Sequence, residues 1–539
     1  MKYFNRYKYL ILPIVIIIAV ITVYIYSRPS IYDKDKTIYL GDSGIKIEYD
    51  IMNQDYYPLE ELSKYFYVNY EMDRKYKVVT ISKGNNLVRY NYGKDVFYVN
   101  NEKEEDFDKE LVKIQGDDVL ASKEFIENYL YIDVEIKGNN TVLTSRDIDY
   151  KLYKSGSRRN INSELNIKLG KLKKNQKYFL IEEGLTRNLI ITDNLQYGYV
   201  EKNENDNEID YKPIESFRVD KLQGEKIVLA WEQVFKGNVD TNKIGSLGAV
   251  NVISPTWLSV INKSGDISSR IDYDYLKWAK KRGYHVWLLI DNSFDPDITN
   301  GFLNDLLARE NIIRQLEEIL KISNIDGINL DFENVYLKDK DKLVQFVGEL
   351  LPIVHKYNKT LSIDVTVMGG SDNWSNFLDR KRLGQIVDFM AVMTYDEHWA
   401  SSPNSGSVAS LPWVEEGMER ISKIVDKDKL IMGIPLYSRI WHEKAEFRGK
   451  AVKQNTKSMN YILKLVKEKN LEKEWLEDLS QNYVEYKEDG LVKRIWLEDL
   501  DSIEKKVELL NNNGYRGLGA WKRGLESPGV WKKIEDTLK

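Results

Sequence analysis

The sequence predicts a multidomain chain. Its C-terminal part reads as an α/β (β/α)8 barrel with a small α+β insertion. Before the barrel it predicts an α+β module, a small β-barrel and an N-terminal transmembrane helix. Three observations carry this prediction. Apolar β-type runs alternate with amphipathic helical stretches from about Lys226 onward. The region before them is strand-rich, with turn residues between short alternating runs. The first thirty residues hold one uncharged apolar run. At 539 residues the chain is too long for a single compact core.

The N-terminal run, Tyr9 to Tyr26, follows Lys2, Arg6 and Lys8 and precedes Arg28. Eighteen residues rising 1.5 Å each give a helix of about 27 Å, enough to cross a hydrocarbon core. No A-x-A-like cleavage site follows, so residues 1–30 read as an anchor and not a removed signal. The basic flank stays in the cytoplasm, which places the rest outside a cell membrane crossed once. The net charge of −5, with both signs interspersed, predicts no nucleic-acid partner. The chain has no cysteine, which excludes disulfides, thiolate metal sites and cysteine nucleophiles.

Residues 36–148 form the α+β module. PLEELSKYFYVNYEMDRKYKVVTIS (Pro58–Ser82) is echoed loosely by SKEFIENYLYIDVEIKGNNTVLTS (Ser122–Ser145). Each reads as a short helix and then a hairpin, with Leu62, Tyr65 and Phe66 matching Ile126, Tyr129 and Leu130 at i, i+3, i+4 spacing. VRYNYGKDVFYVNNEKE between them supplies two more strands. This segment resembles the N-terminal module of copper amine oxidases. It lacks a histidine cluster, so no copper is inferred, and a structural or wall-binding spacer is the expected role. In residues 157–215, KLGKLKKNQKYFLIEEG and LQYGYVEK resemble a bacterial Src-homology-3-like barrel. A generic small β-barrel is the competing reading.

Residues 224–539 carry the barrel. Its strands are expected in IVLAWEQVF, AVNVISPTWLSV, HVWLLIDN, GINLDFENV, LSIDVTVM, FMAVMTYDEHW, LIMGIPLYSRIW and GLGAWKRG. Most are too apolar to keep one face wet, which argues for parallel strands wrapped in helices. The long seventh connection predicts an α+β insertion over about 443–496, with a hairpin turning at Asp489-Gly490.

The chemistry concentrates in Asp326-Gly-Ile-Asn-Leu-Asp-Phe-Glu333. Alternate residues of a strand share a face, so Asn329, Asp331 and Glu333 point into the barrel while Ile328, Leu330 and Phe332 point to the helices. Such barrels place catalysis at the C-terminal ends of their strands. Two neighbouring buried carboxyls cannot both ionise cheaply, so the one nearer the mouth holds a proton near neutral pH, as a general acid must. A buried acidic pair satisfied by hydrogen bonds is the bland alternative.

DGINLDFE resembles the D-x-x-D-x-D-x-E signature of glycoside hydrolase family 18, the chitinases and related N-acetylglucosaminidases. MTYDEHW, GIPLYSRIW and GLGAWKRG fall where that family's sixth, seventh and eighth strands fall. Asn329 replaces the middle Asp, as in the subgroup acting on spore cortex or peptidoglycan. The resemblance implies retaining, substrate-assisted hydrolysis without an enzyme nucleophile. By that resemblance Glu333 protonates the glycosidic oxygen, Asp331 orients the acetamido group and Tyr395 donates to its carbonyl. Met393 shares the inward parity of Tyr395. The resemblance also implies that Trp521 floors the sugar site. Asn329, Asp396, Tyr437 and Trp399 complete the expected substrate-binding set, and Trp257 and Trp441 offer further aromatic surface, with ordinary packing the competing reading. His285, His355, His398 and His442 are scattered without metal-ligand spacing, so neither metal nor cofactor is expected. The expected partner is a polysaccharide, peptidoglycan first. A chitinase or chitooligosaccharide hydrolase is one alternative, and a non-catalytic glycan-binding envelope protein is another.

Overall fold

The structure, a computed structural model, describes residues 36–41, 44–49, 55–105, 108–137, 140–148, 150–194, 196–209, 217–235 and 239–539. The apolar run expected to cross the membrane lies outside them. Among the described residues, no helix is long and apolar enough to do so.

Eight parallel strands close the expected barrel: β1 (Ile227–Glu232), β2 (Val252–Val260), β3 (His285–Asp291), β4 (Gly327–Asp331), β5 (Thr360–Thr366), β6 (Phe389–Met393), β7 (Leu430–Pro435) and β8 (Gly517–Trp521). Each pairs with the next, and β1 pairs with both β2 and β8, so no edge is left open. A short antiparallel strand, Ile267–Ser269, adds to β2. Alternation sorts the side chains into two cores. Ile227, Leu229, Trp231, Val252, Trp287, Leu289, Phe389, Ala391 and Ile431 pack inside the barrel, with Trp521 against them. Val228, Leu288, Ile328, Leu330, Phe332, Ile363 and Val392 turn outward into the layer shared with the helices. Polar residues interrupt the apolar filling on the side of β2 to β5, where Ser254 and Asp291 also point inward. On β4 and β5 the buried inward residues are Asn329, Asp331, Ser362 and Asp364. The site grows from that sector.

The insertion is an antiparallel sheet of Tyr437–Glu443, Ala451–Ser458, Glu474–Leu476, Gln481–Glu488 and Leu491–Leu497, with one helix, Met459–Glu468. It starts at Tyr437, earlier than the apolar run suggests. The run LIMGIPLYSRIW is two strands, because β7 stops at Pro435 and the Leu436 N–H leaves to donate to the carbonyl of Trp521 at 2.7 Å. Asp489 and Gly490 make the expected turn, both with positive φ.

The described chain forms two compact units. One spans residues up to Val68 and from Asp106 to Phe217; the other spans Asn69–Glu105 and Arg218–Lys539. In the first, both halves of the sequence echo begin with their helix, Leu59–Phe66 and Lys123–Tyr129. The second helix leads into the hairpin Ile132–Lys137 and Asn140–Ser145, which joins Lys36–Gly41 and Gly44–Tyr49 in one sheet. The small β-module is a seven-stranded antiparallel sheet running from Leu152 to Ile209.

The hairpin after the first helix belongs to the second unit. It opens a five-stranded meander, Asn69–Asp73, Val78–Lys83, Asn86–Asn91, Val96–Val99 and Glu102–Glu104, which packs on the barrel helices α1 (Leu306–Ile322) and α2 (Lys340–Lys356). Packing therefore cuts across the sequence module of residues 36–148. Gly348 in α2 permits the approach, since a Cβ there would lie 2.6 Å from Asn69 Nδ2 and 2.8 Å from Ser82 Oγ. Fully buried Arg309 of α1 pairs with Glu349 of α2 at 3.2 Å and with Glu71 of the meander, which also meets Lys342.

Candidate active site

Register sets the acidic residues level with one another. Asp291, the last residue of β3, pairs with Asp331, the last of β4. Leu330 pairs with Ile363, so the next step opposes Asp331 to Asp364 on β5. Three carboxyls from neighbouring strands thus lie at one height on the inward face, and Glu333 follows two residues beyond Asp331. Glu333 is held by its backbone. Buried Asn292 accepts from its N–H at 3.0 Å and donates Nδ2 to its carbonyl at 2.7 Å. The same Nδ2 reaches Thr299 Oγ1 at 2.8 Å.

Below the carboxyls the polar groups are closed on themselves. Asn329 is 0% exposed. Its Oδ1 accepts from Trp231 Nε1 at 3.1 Å and Ser254 Oγ at 3.0 Å, and its Nδ2 donates to Asp364 Oδ1 at 2.8 Å. Asn329 therefore offers nothing to a sugar, which corrects its expected substrate-binding role. Gly519 makes room for Trp231, because a Cβ there would stand 2.6 Å from the indole.

The electrostatics follow from burial without cations. Among the described residues no lysine, arginine or histidine pairs with Asp331, Glu333 or Asp364. Burial, then Glu333, Asp364 and Asp291, pushes Asp331 well above the usual carboxyl range. One of its oxygens, Oδ1, is buried without a hydrogen-bond partner. Burial first, then Asp396 and Asp291, raises Glu333 to about 7. Asp291 rises too, by burial, against hydrogen bonds from Ser293 N and Ser259 Oγ at 2.8 and 2.9 Å. Glu232, at the end of β1, is different: Arg523 and Tyr275 hold it.

Tyr395 lies two residues past β6, its ring over Gly433. Burial raises its phenol, and Asp364, Tyr437, Asp331 and Glu333 raise it further. Met393 closes β6 and is half-buried. Asp396 has a left-handed backbone, φ 64°. It accepts from Tyr437 Oη and from Arg439 Nη2 at 2.9 Å. Tyr437 is buried and spends its hydroxyl on Asp396, so it supports the mouth and does not line it freely. Trp521 ends β8, half-buried against the inner core with its ring 6.0 Å from that of Trp231. Trp399 stands in the loop after β6, 53% exposed.

Two expected aromatics are core residues. Trp257 is buried edge-on against Tyr275 in the outer layer, and Trp441 is buried in the insertion, donating to Gly406 O at 2.8 Å. His398 is a loop residue whose Nδ1 sits 2.9 Å from Ser407 O. The sequence reading missed Asp364, Asp291, Asn292 and Arg439. It also missed the exposed rim aromatics Phe235, Phe294 and Trp374, which follow β1, β3 and β5. An aromatic just past a strand end was the available signal for Phe235 and Phe294, whereas Trp374 lies in the helical turn Asp372–Asn376. Among the described residues no group of three or more His, Cys, Asp or Glu side chains is arranged to hold a metal.

The family model for glycosyl hydrolases family 18 matches residues 197–526, more than half of the chain. The chain belongs to glycosyl hydrolase family 18. The copper amine oxidase N-terminal domain model matches residues 34–144 of this family-18 hydrolase. Among curated relatives, it is 27% identical over 288 residues to the uncharacterized glycosylase YvbX of Bacillus subtilis, covering 51% of this chain and 82% of the relative. It is 25% identical over 252 residues to the cortical fragment-lytic enzyme of Bacillus anthracis, covering 46% and 58%. The spore cortex-lytic enzyme SleL of Bacillus megaterium superposes with a TM-score of 0.53 at 19% identity, over 64% of this chain and 80% of that one. The C-terminal domain of a putative chitinase from Desulfitobacterium hafniense gives 0.52 at 24%, over 58% and 100%. These structural likenesses speak for the fold. The family-18 hydrolase is thus a glycoside hydrolase, with its acidic group at the barrel mouth.

Proposed function

We propose that the chain hydrolyses N-acetylglucosamine-containing cell-wall glycan, peptidoglycan foremost, with retention and with the substrate's own acetamido group as nucleophile. The observation that carries this reading is a mouth carboxyl, Glu333, raised to about 7 beside a buried partner, Asp331, that has an unsatisfied oxygen. A carboxyl poised near neutrality gives up a proton and takes one back in a single turnover. Glu333 protonates the glycosidic oxygen as the C–O bond breaks. The acetamido oxygen closes on the anomeric carbon, and Glu333 then takes a proton from the incoming water. Asp331 receives the acetamido N–H on its orphaned oxygen and offsets the positive charge that develops there. Tyr395, high in pKa and so kept protonated, donates to the acetamido oxygen. Trp521 and the rim aromatics pack on the C–H faces of the sugars.

Peptidoglycan is favoured by the relatives named for cortical fragment lysis. Chitin oligomers are the second reading, because other relatives are named di-N-acetylchitobiase and chitinase. The apolar run at 9–26 supports tethering at the membrane with the barrel outside. Incubation of residues from Ser27 onward with peptidoglycan and with chitin oligomers, followed by mass analysis of the products, tests the choice of substrate. New N-acetylglucosamine reducing ends from peptidoglycan are expected. Release from chitin oligomers alone moves the assignment to the second reading, and release from neither overturns the proposal.

A further inference from the structure

The amide at position 329 can neither store nor release a proton near neutral pH. Asp331 therefore has no titrating neighbour beneath it on its own strand. A carboxyl on the adjoining strand stands in that place. Asp364 points inward from β5, 3% exposed, at the height of Asp331. Adjacent strands lie about 4.8 Å apart, so the two side chains leave neighbouring backbone positions on one face, and the charge of Asp364 is among those that raise Asp331.

The surroundings of Asp364 are built to hold it. Trp231 Nε1 donates to its Oδ2 at 3.1 Å and Asn329 Nδ2 to its Oδ1 at 2.8 Å. Two donors already occupy Asn329 Oδ1, which forces the amide nitrogen toward Asp364. Asn329 is thus a splint. A buried carboxyl with no cation is costly, and hydrogen bonds to Trp231 and Asn329 need only a neutral acceptor. Packing alone gives no reason for an acid here.

We propose that Asp364 is a positioning residue for the hydrolase reaction, exchanging one proton with Asp331 as the sugar's acetamido group arrives. The inference rests on the substrate-assisted reading above. Before substrate binds, the proton sits on Asp331, whose buried Oδ1 otherwise lacks a partner. When the acetamido N–H approaches, Asp331 must become a carboxylate to accept it. Its O–H bond breaks, an O–H bond forms on Asp364, and the pair keeps one negative charge. After the water step the proton returns. Burial, only partly opposed by the bonds from Asn329 and Trp231, lifts Asp364 to about 8, which suits a group that takes up a proton at neutral pH. The titrating groups that face the pair are Glu333 beyond β4, Tyr395 beyond β6 and Asp291 at the end of β3; Asp396 acts on Glu333. From β1 and β2 come only Trp231 and Ser254, which do not titrate.

The test uses Asp364→Asn and the exchange Asn329→Asp/Asp364→Asn, assayed on a fluorogenic N-acetylglucosamine oligomer and on peptidoglycan between pH 5 and 9. The single variant is expected to lose at least about tenfold in kcat, with KM little changed and the pH profile shifted. The exchange is expected to recover most of kcat and the wild-type profile, because it restores one acid and one amide to the same hydrogen-bonded pair. Melting temperatures verify folding, and if the single variant does not fold, the exchange decides alone. Unchanged kcat and pH profile in Asp364→Asn, or an exchange no more active than the single variant, overturns the proposal. Glu333→Gln is run alongside: an active Glu333→Gln sinks the substrate-assisted reading, whereas an inactive one beside an unchanged Asp364→Asn sinks only the role of Asp364.

Discussion

Glu232 and Glu333 both stand at C-terminal ends of barrel strands, and their neighbours give them opposite uses. Glu232 is neutralised by Arg523 and takes a hydrogen bond from Tyr275. Glu333 has no such cation and is pushed by burial to about 7. Glu333→Gln is expected to lower kcat by about 10²–10⁴-fold while calorimetry still detects glycan binding. The wild-type rate is expected to fall as pH rises through about 7, because the proton donor is then lost. Stability carries the same sign. A carboxyl with a raised folded pKa supports the fold below its unfolded value and loses that support as pH climbs through the folded one. Glu333→Gln is therefore expected to melt higher than wild type at pH 8, with the gap closing toward pH 4, by thermal unfolding across that range. An equal gap at both pH values would show that the carboxyl is not the cause.

The strand elements explain what could be read in advance. Parity along GINLDFE sends Asn329 and Asp331 inward and Ile328, Leu330 and Phe332 outward, and the packing follows it. A period of two is a local property, visible without knowing any neighbour. Asp364 was invisible for the opposite reason: a single acid in LSIDVTVM gains meaning only when β5 lies beside β4. Trp257 and Trp441 stayed open between sugar contact and packing because a tryptophan near a strand end does not announce which face it occupies, and the structure buries both. The turn beyond β3 bears its own prediction. Asn292 bonds both backbone polar groups of Glu333, so Asn292→Ala is expected to cost about 1–3 kcal/mol in urea unfolding and to lower kcat more than it raises KM. On β8, Gly519→Ala drives a methyl into Trp231. Overpacking of this kind costs about 1–3 kcal/mol, and activity is expected to fall with it as the grip on Asp364 loosens.

Across the whole molecule, long-range ion pairs join the meander to the barrel helices. Arg309 is wholly buried between Glu349 and Glu71, so Arg309→Leu leaves fully buried Glu349 with Arg89 at 3.7 Å as its nearest cation, while Glu71 keeps Lys342. Its expected cost is about 3–5 kcal/mol, read by denaturant unfolding, with faster proteolysis between Asn69 and Glu105. None of this was legible in the sequence, since Glu71 and Arg309 are 238 residues apart and each alone looks like a surface charge. The echo of helix and hairpin was legible, but not that its first hairpin joins the barrel's packing unit. That division has a consequence for descent. Leu87 of the meander is part of the barrel's outer core, so a gene fragment starting at the hydrolase boundary would encode a protein with a raw apolar flank. Such a fragment is expected to aggregate more readily than the full chain, read by light scattering, so a break between meander and barrel would carry a cost in any lineage that kept this pairing.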